Sequence, residues 1–474
     1  MSDPQRRDRT APRARRAVVL GGGMAGMLAA SVLADHADEV VVVERDRLPA
    51  RAVPRTGLPQ ARHAHLLMSG GARAVESLLP GTLGRWIAAG ARRIAMPTDL
   101  VVFTPPGWLP RRPETQFMVA CTRDLLDLVV REQVLAHPRV TLRDGTESLA
   151  LLGGPGRVTG VLLRRTGTHG DEELPADLVV DASGRGSRAV RRLTDLGLPA
   201  VREQTVDSGL VYATRIFRAP PGAGDFPVVT VQPDSGVPRP GRAATLMPVE
   251  GGRWLVTISG TRGGEPTRHA ADFEPFARGL RHPLVADLIA RAEPLTDVHL
   301  TRSTVNRRRF FERLPSWPEG FVVLGDAVAT FNPIYGQGMS VAAQGAVALR
   351  GVLRRRGVGA PGLSREAQRA VARAAAGAWD LSAGEDINYP GAIGPRPPLP
   401  ARLLRGYVTH MMRAALVDPA VLRALTGVMT LSAPVNALVR PGVLLAVARA
   451  SGRPVPPGPP LTAAERAHVG PTPG

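Results

Sequence analysis

The sequence contains no lysine: all 60 of its basic residues are arginine. That excludes Schiff-base catalysis, a phosphate-loop lysine and any lysine acid or base. The single cysteine, Cys121, can form no internal disulfide and has no neighbour at metal-ligand spacing, which fits a reducing compartment. Aromatic residues make up only 4% and the arginines are spread along the chain. The net charge of +19 therefore points to a coding bias and to anionic, phosphate-bearing cofactors, not to a base-stacking platform, and no nucleic-acid partner is expected. Beyond Ala17–Ala34 no window approaches 18 uninterrupted apolar residues, so no integral membrane insertion is expected. Arg13, Arg15 and Arg16 before that stretch imitate a twin-arginine signal. The same residues are better explained as the start of a nucleotide-binding unit, which predicts a cytoplasmic protein with residues 1–16 as a disordered basic tail.

What is present is a chain of 474 residues, 44% hydrophobic, long enough for a large core and more than one domain. Ala17-Val18-Val19-Leu20 reads as a buried strand, Gly21-Gly22-Gly23-Met24-Ala25-Gly26 as a glycine turn, and the run through Leu33 as a helix. Gly21 permits the turn, Gly23 lets a pyrophosphate approach the backbone, and Gly26 lets helix and strand pack closely. Met24 and Ala25 open the helix, whose N-terminus favours phosphate charge. Val40–Val43 form a second strand ending at Glu44 and Arg45, where a carboxylate can hold the ribose hydroxyls of an adenosine. Glu44 disfavours a 2′-phosphate there, leaving FAD or NAD.

Two later segments repeat the strand-to-glycine-turn pattern: Leu178–Asp181 into Ala182-Ser183-Gly184, and Phe321–Leu324 into Gly325-Asp326. The second continues through Asn332-Pro333-Ile334-Tyr335-Gly336-Gln337-Gly338-Met339-Ser340 into another helix. In this order of motifs, over residues 17 to 350, the chain resembles the flavoprotein monooxygenases of the para-hydroxybenzoate hydroxylase superfamily. The resemblance implies bound FAD, with Asp326 on the ribityl or pyrophosphate region. It also implies that the loop carrying Pro333, Gly336, Gln337, Gly338 and Met339 offers backbone N–H groups to the flavin pyrimidine edge. Arg123, opening a helix after Thr122, matches a position placed against the flavin phosphates in that superfamily, a solvated arginine being the alternative. The chain departs from the pattern at Ser183, where an acid is usual, while Asp181 stands two places earlier. Arg185, Arg188 and Arg191 are candidates for nicotinamide phosphates or plain surface residues.

A narrower resemblance lies in Gly57–Leu67, Met247–Trp254 and Asn332–Ser340. These segments look like the polyene epoxidases of polyether-ionophore biosynthesis, the lasalocid and monensin type, a likeness running from Ala17 to Arg440. The tryptophan-type halogenases are set aside for want of their lysine and their Trp-x-Trp motif. The resemblance implies that NADPH or NADH reduces FAD, and that O2 adds as a flavin C4a-hydroperoxide. One oxygen then passes to an alkene of a linear apolar polyene, free or held on a carrier protein. The flavin carries the chemistry and no side chain is assigned a catalytic role. An aromatic hydroxylase and a prenyl-type reductase of the same fold are the alternatives. His63 and His65 would share one face of an extended segment, but no third ligand follows, so no metal is expected and a structural or flavin-edge role is preferred.

The predicted class is therefore α/β. It has a Rossmann-like FAD-binding domain (17–200 and 300–355), an antiparallel substrate-facing sheet (201–299, with parts of 57–120), a helical region (356–450) and a mobile Pro/Gly-rich tail (451–474). The methionines and leucines from Met411 to Met429 read first as core and second as a channel lining.

Overall fold

Short runs of valine, alanine and leucine that are apolar on both faces suit the strands of a covered parallel sheet. The computed structural model describes residues 14–168, 170–395, 399–450 and 454–469, so residues 1–13 of the expected tail lie outside the described part. The opening unit is β1 (Arg16–Leu20), α1 (Met24–Ala34) and β2 (Glu39–Val43). Next along the chain come β3 (Leu66–Met68), α2 (Arg123–Leu135), β4 (Val140–Arg143) and β5 (Leu178–Asp181). The long antiparallel strands are β6 (Val211–Arg218), β7 (Arg242–Val249) and β8 (Arg253–Gly260). After β9 (Phe321–Val323) the chain turns helical, in α3 (Gly338–Arg356), α4 (Leu363–Asp386), α5 (Pro419–Met429) and α6 (Pro441–Ala450).

The parallel sheet has the order β9-β5-β1-β2-β4. Leu20 at the end of β1 stands level with Asp181 of β5 and Val43 of β2, so these strands end together. Because β1 has a later strand on one side and β2 on the other, the chain leaves it in opposite directions, and a crevice opens at the carboxyl edge. Ala17, Val18, Val19, Val40 and Val42 are fully buried, in a core that α1 shares with Leu151, Val158 and Val161 of the antiparallel strands Thr146–Gly154 and Arg157–Arg165.

The second sheet is built around β6-β8-β7, with Val228–Val231 beside β7. Leu100–Thr104 then joins it in parallel from the earlier part of the chain. One face packs on the helices Ala270–Arg278 and Leu284–Ile289. The other face packs on Met411 of the helix Leu399–Ala415, Leu416 of the turn after it, and Leu422 and Val428 of α5, which are part of a core. The α/β class with an antiparallel second sheet and a helical end is as the sequence predicts. Residues 454–469, expected to be mobile, instead lie against this sheet. Leu461 is 6% exposed and Glu465 pairs with Arg111 at 2.6 Å. A few apolar and charged anchors suffice to dock a segment whose overall composition reads as loop.

Candidate functional site

The cleft, of about 470 Å³, opens where β1, β2, β5 and β9 end. Gly21 leaves β1 at φ +106°, and a Cβ there would stand 2.6 Å from the carbonyl oxygen of Ala182, so only glycine fits. A Cβ on Gly26 would stand 1.8 Å from the carbonyl oxygen of Gly21. Gly26 is thus the packing contact of helix on strand and does not reach the cleft. Gly21, Gly23, Met24, Ala25, Glu44, Arg45, Arg123, Asp326, Pro333, Gly336, Gln337, Gly338 and Met339 all line it. Fourteen positions predicted from scattered segments thus converge on one crevice, thirteen on its wall and Gly26 just behind.

Glu44 ends β2 with Oε2 accepting the Gly22 N–H at 2.7 Å and Oε1 accepting the Asp46 N–H at 3.0 Å. Arg55, which the sequence reading missed, stands 3.4 Å from the same carboxylate and lines the cleft. It lies in a loop without periodicity, so no local pattern marks it. Arg123 begins α2 and is held by Asp127 at 2.9 Å, while Thr122 caps the helix and is itself held by Glu250. Burial, together with the charge of Asp127, pushes the Asp124 carboxyl up to about 6.

Asp326 follows β9. Burial raises its carboxyl above the usual range, opposed by the nearby Arg185 and Arg123. The loop after it is held from behind by Asp386, the last residue of α4. Asp386 accepts hydrogen bonds from Asn306 Nδ2 at 2.6 Å, Asn332 Nδ2 at 2.7 Å and the Tyr335 hydroxyl at 2.7 Å. Tyr212 of β6 donates to Asn332 Oδ1 at 3.0 Å, tying the loop to the second sheet. Nothing near Asp386 in sequence signals this role.

The middle arginines divide. Arg185 and Arg188 line the cleft, the first donating to the Val305 carbonyl and the second paired with Glu147 at 3.0 Å. Arg191 is exposed and faces Asp195 at 3.9 Å. Asp181 is fully buried and taken up by Ser183, Ser187 and Arg192, so it organises the turn and offers nothing to a ligand.

His63 and His65 do not share a face. Pro59–Arg62 form a tight helical turn that rotates the segment before β3. His63 turns onto the second sheet, its Nδ1 2.7 Å from Thr214 Oγ1, which lies 2.7 Å from Thr257 Oγ1. His65 lines the cleft, and its Nδ1–H donates to the His63 carbonyl at 2.8 Å, leaving Nε2 as the acceptor. Burial lowers His63 to about 3 and His65 to about 4, so both are neutral near pH 7. No cluster of three metal-ligating side chains occurs among the described residues.

The cleft runs from the N-terminus of α1 to that of α3, a lining suited to a dinucleotide. Gly23 leaves its surface open, a Cβ there meeting only Arg55 at 3.4 Å. At the other end Gln337 is 1% exposed, and its Nε2 has no acceptor among the described residues. It lines the cleft at the N-terminus of the 19-residue α3, where an electron-rich carbonyl would satisfy it.

This arrangement defines a Rossmann-like flavoprotein, and comparison with known proteins agrees. The chain belongs to the FAD binding domain family, which matches residues 15–357. It is 31% identical over 426 residues to protein Rv3254 of Mycobacterium tuberculosis, covering 85% of this chain and 86% of that one. It is also 29% identical over 354 residues to the kynurenine 3-monooxygenase of Salinispora arenicola, covering 71% and 72%. Its fold is like that of the myxobacterial chondrochloren halogenase CndH, with TM-score 0.61, 16% identity, and coverage of 89% and 97%. The protein is an FAD-dependent monooxygenase. No described helix is long and apolar enough to cross a membrane.

Proposed function

We propose that the enzyme transfers one oxygen atom from O2 to the carbon–carbon double bonds of an extended apolar polyene, with NADPH or NADH as reductant. FAD, when bound, supplies electron storage and the activation of O2. The observation that carries the reading is the state of the cleft histidine. His65 has its Nδ1–H committed to a carbonyl and its basicity lowered by burial to about 4, which makes it a poor base for a phenol. Oxygen transfer to an alkene requires no such proton removal.

In this reading the chain's own residues bind and orient. Gly23 and the N-terminus of α1 take the pyrophosphate, and Glu44 takes the ribose hydroxyls. Asp326 and Arg123 flank the middle of the cofactor. Gln337 donates from Nε2 to the isoalloxazine edge, with the N-terminus of α3 favouring negative charge there. His63, Thr214 and Thr257 close the wall behind His65 and keep water out of it.

The experiment is product analysis with linear polyenes, NADPH and labelled dioxygen. Epoxides carrying one labelled atom each are expected, and epoxide oxygen from water would overturn the mechanism. A second reading, aromatic hydroxylation, is favoured by the likeness to kynurenine 3-monooxygenase. It is selected if phenols are hydroxylated and polyenes are not. Saturated products formed without O2 would select a reductase.

A further inference from the structure

The last helical block presents an apolar surface that none of the described residues covers. A helix apolar on every side ordinarily belongs in an interior. In α6 the residues Val447 and Ala450 face inward, 9% and 5% exposed. Pro441, Leu444, Leu445 and Ala448, at the i, i+3, i+4, i+7 spacing of a second helix face, are nevertheless all exposed, Leu444 at 43% and Leu445 at 50%. The end of α5 and the helical turn Val435–Val439 packed beside α6 add Met429, Val435 and Val439, at 37%, 37% and 47%. Five of the ten large exposed hydrophobics among the described residues thus fall between residues 429 and 445.

Charge says what covers this face. From Pro419 to Ala464 the sequence has no carboxylate at all, while Arg423, Arg440 and Arg449 are exposed around the apolar residues. A second copy seated on the same face would set arginine against arginine with no acid from that segment between them. A bilayer with anionic headgroups meets both demands, acyl chains for the leucines and phosphates for the guanidinium groups. At ten residues α6 spans about 15 Å, half the hydrocarbon thickness, so it can only lie in the interface plane. We propose that the outward face of α6, with Met429, Val435 and Val439, rests on an anionic lipid surface as a peripheral contact. This inference stands on the surface alone and does not depend on the substrate proposed above.

The test is co-sedimentation of the full FAD-loaded chain with vesicles of phosphatidylglycerol and phosphatidylcholine in equal parts, against phosphatidylcholine alone. The wild type should pellet with the anionic vesicles. The double variant Leu444→Ser, Leu445→Ser should bind them roughly tenfold more weakly or worse while keeping its flavin. Arg440→Gln with Arg449→Gln should weaken binding and flatten its salt dependence. The proposal is overturned if the wild type stays in the supernatant. It is also overturned if the double serine variant pellets as well as wild type, since general positive charge would then be the cause. Conversion of a dimer to a monomer by that variant would give the face to a second copy instead. Leu445→Cys serves if the double variant fails to fold. The native Cys121 is buried, so a polarity-sensitive dye reports on position 445 alone. Its emission should shift to the blue with anionic vesicles, and an unshifted spectrum counts against the proposal.

Discussion

The hydroxyl of Tyr335 donates to Oδ1 of Asp386 at 2.7 Å, joining the cleft loop to the end of a helix 51 residues further along. Because Asn332 and Asn306 donate to the other oxygen of the same carboxylate, one buried group fixes both the loop and its junction with the strand Asn306–Arg309.

Asp386→Ala should therefore leave two buried amide donors without an acceptor, at about 1–3 kcal/mol each, and release the part-buried Tyr335 hydroxyl. The expected outcome is a lower melting temperature and faster release of FAD. Asp386→Asn keeps one acceptor oxygen and should recover part of both. Differential scanning fluorimetry with and without added FAD separates general instability from loss of the loop.

Glu44→Ala should weaken FAD binding by roughly 1.5–3 kcal/mol, or about 10- to 150-fold, since charge-assisted hydrogen bonds are lost. The carboxylate also holds the Gly22 N–H, so part of the effect is loosening of the turn itself. Titration of apoprotein with FAD measures it. Unchanged affinity in a folded variant would remove Glu44 from the site.

The strand–glycine–helix opening and the loop after β9 were legible because their chemistry is local: a turn that needs glycine, a strand that needs β-branched residues, an acid at a strand end. Asp386, Arg55 and Tyr212 were not. Each acts through a partner brought near by tertiary packing, and a buried aspartate at a helix end reads the same as a solvated one. The shared face of the two histidines was misread for the opposite reason, while the preference for a structural or cleft-edge role over a metal is not contradicted. Alternation across His63 and His65 suggested one face, but the tight turn ending at Arg62 sent one imidazole to the sheet and the other to the cleft. The contacts of residues 454–469 were not legible because composition averages over a segment, whereas docking depends on single anchors such as Leu461.

His63 makes stability depend on pH with a definite sign. Its folded value of about 3 lies below the ordinary 6.5, so the unfolded chain takes up a proton first. The stabilisation is present above pH 6.5 and is lost as pH falls towards 3, amounting to roughly 2 kcal/mol by pH 5. His63→Gln should flatten the melting profile between pH 7 and 5 relative to wild type. Equal slopes for the two proteins would mean that His63 does not govern acid lability.

Asp326→Ala should reduce flavin retention and turnover while leaving the fold largely intact, since the residue sits in the tight turn Gly325–Ala327 beside the cleft. Flavin content per chain after gel filtration, set beside the far-UV spectrum, provides the check. A variant with full flavin and full rate would leave Asp326 as a turn residue only.

Gly26→Ala tests whether the first turn works through close packing. The added methyl would sit 1.8 Å from the carbonyl oxygen of Gly21, and that oxygen is backbone, so α1 must move off β1. Overpacking of this kind costs about 1–3 kcal/mol or more, and the displaced helix N-terminus should also lose phosphate affinity. The control is Gly84→Ala, inside the helix Thr82–Ala88, where a Cβ meets nothing within 4 Å. Removing backbone freedom there should stabilise by about 0.5–1 kcal/mol. The two methyl additions therefore have opposite expected signs in thermal melting, and only the first should weaken FAD binding. If Gly26→Ala melts with wild type and binds FAD normally, the contact between α1 and β1 is looser than the backbone distance requires. The phosphate end of the cleft would then have to be rebuilt around Gly23 alone.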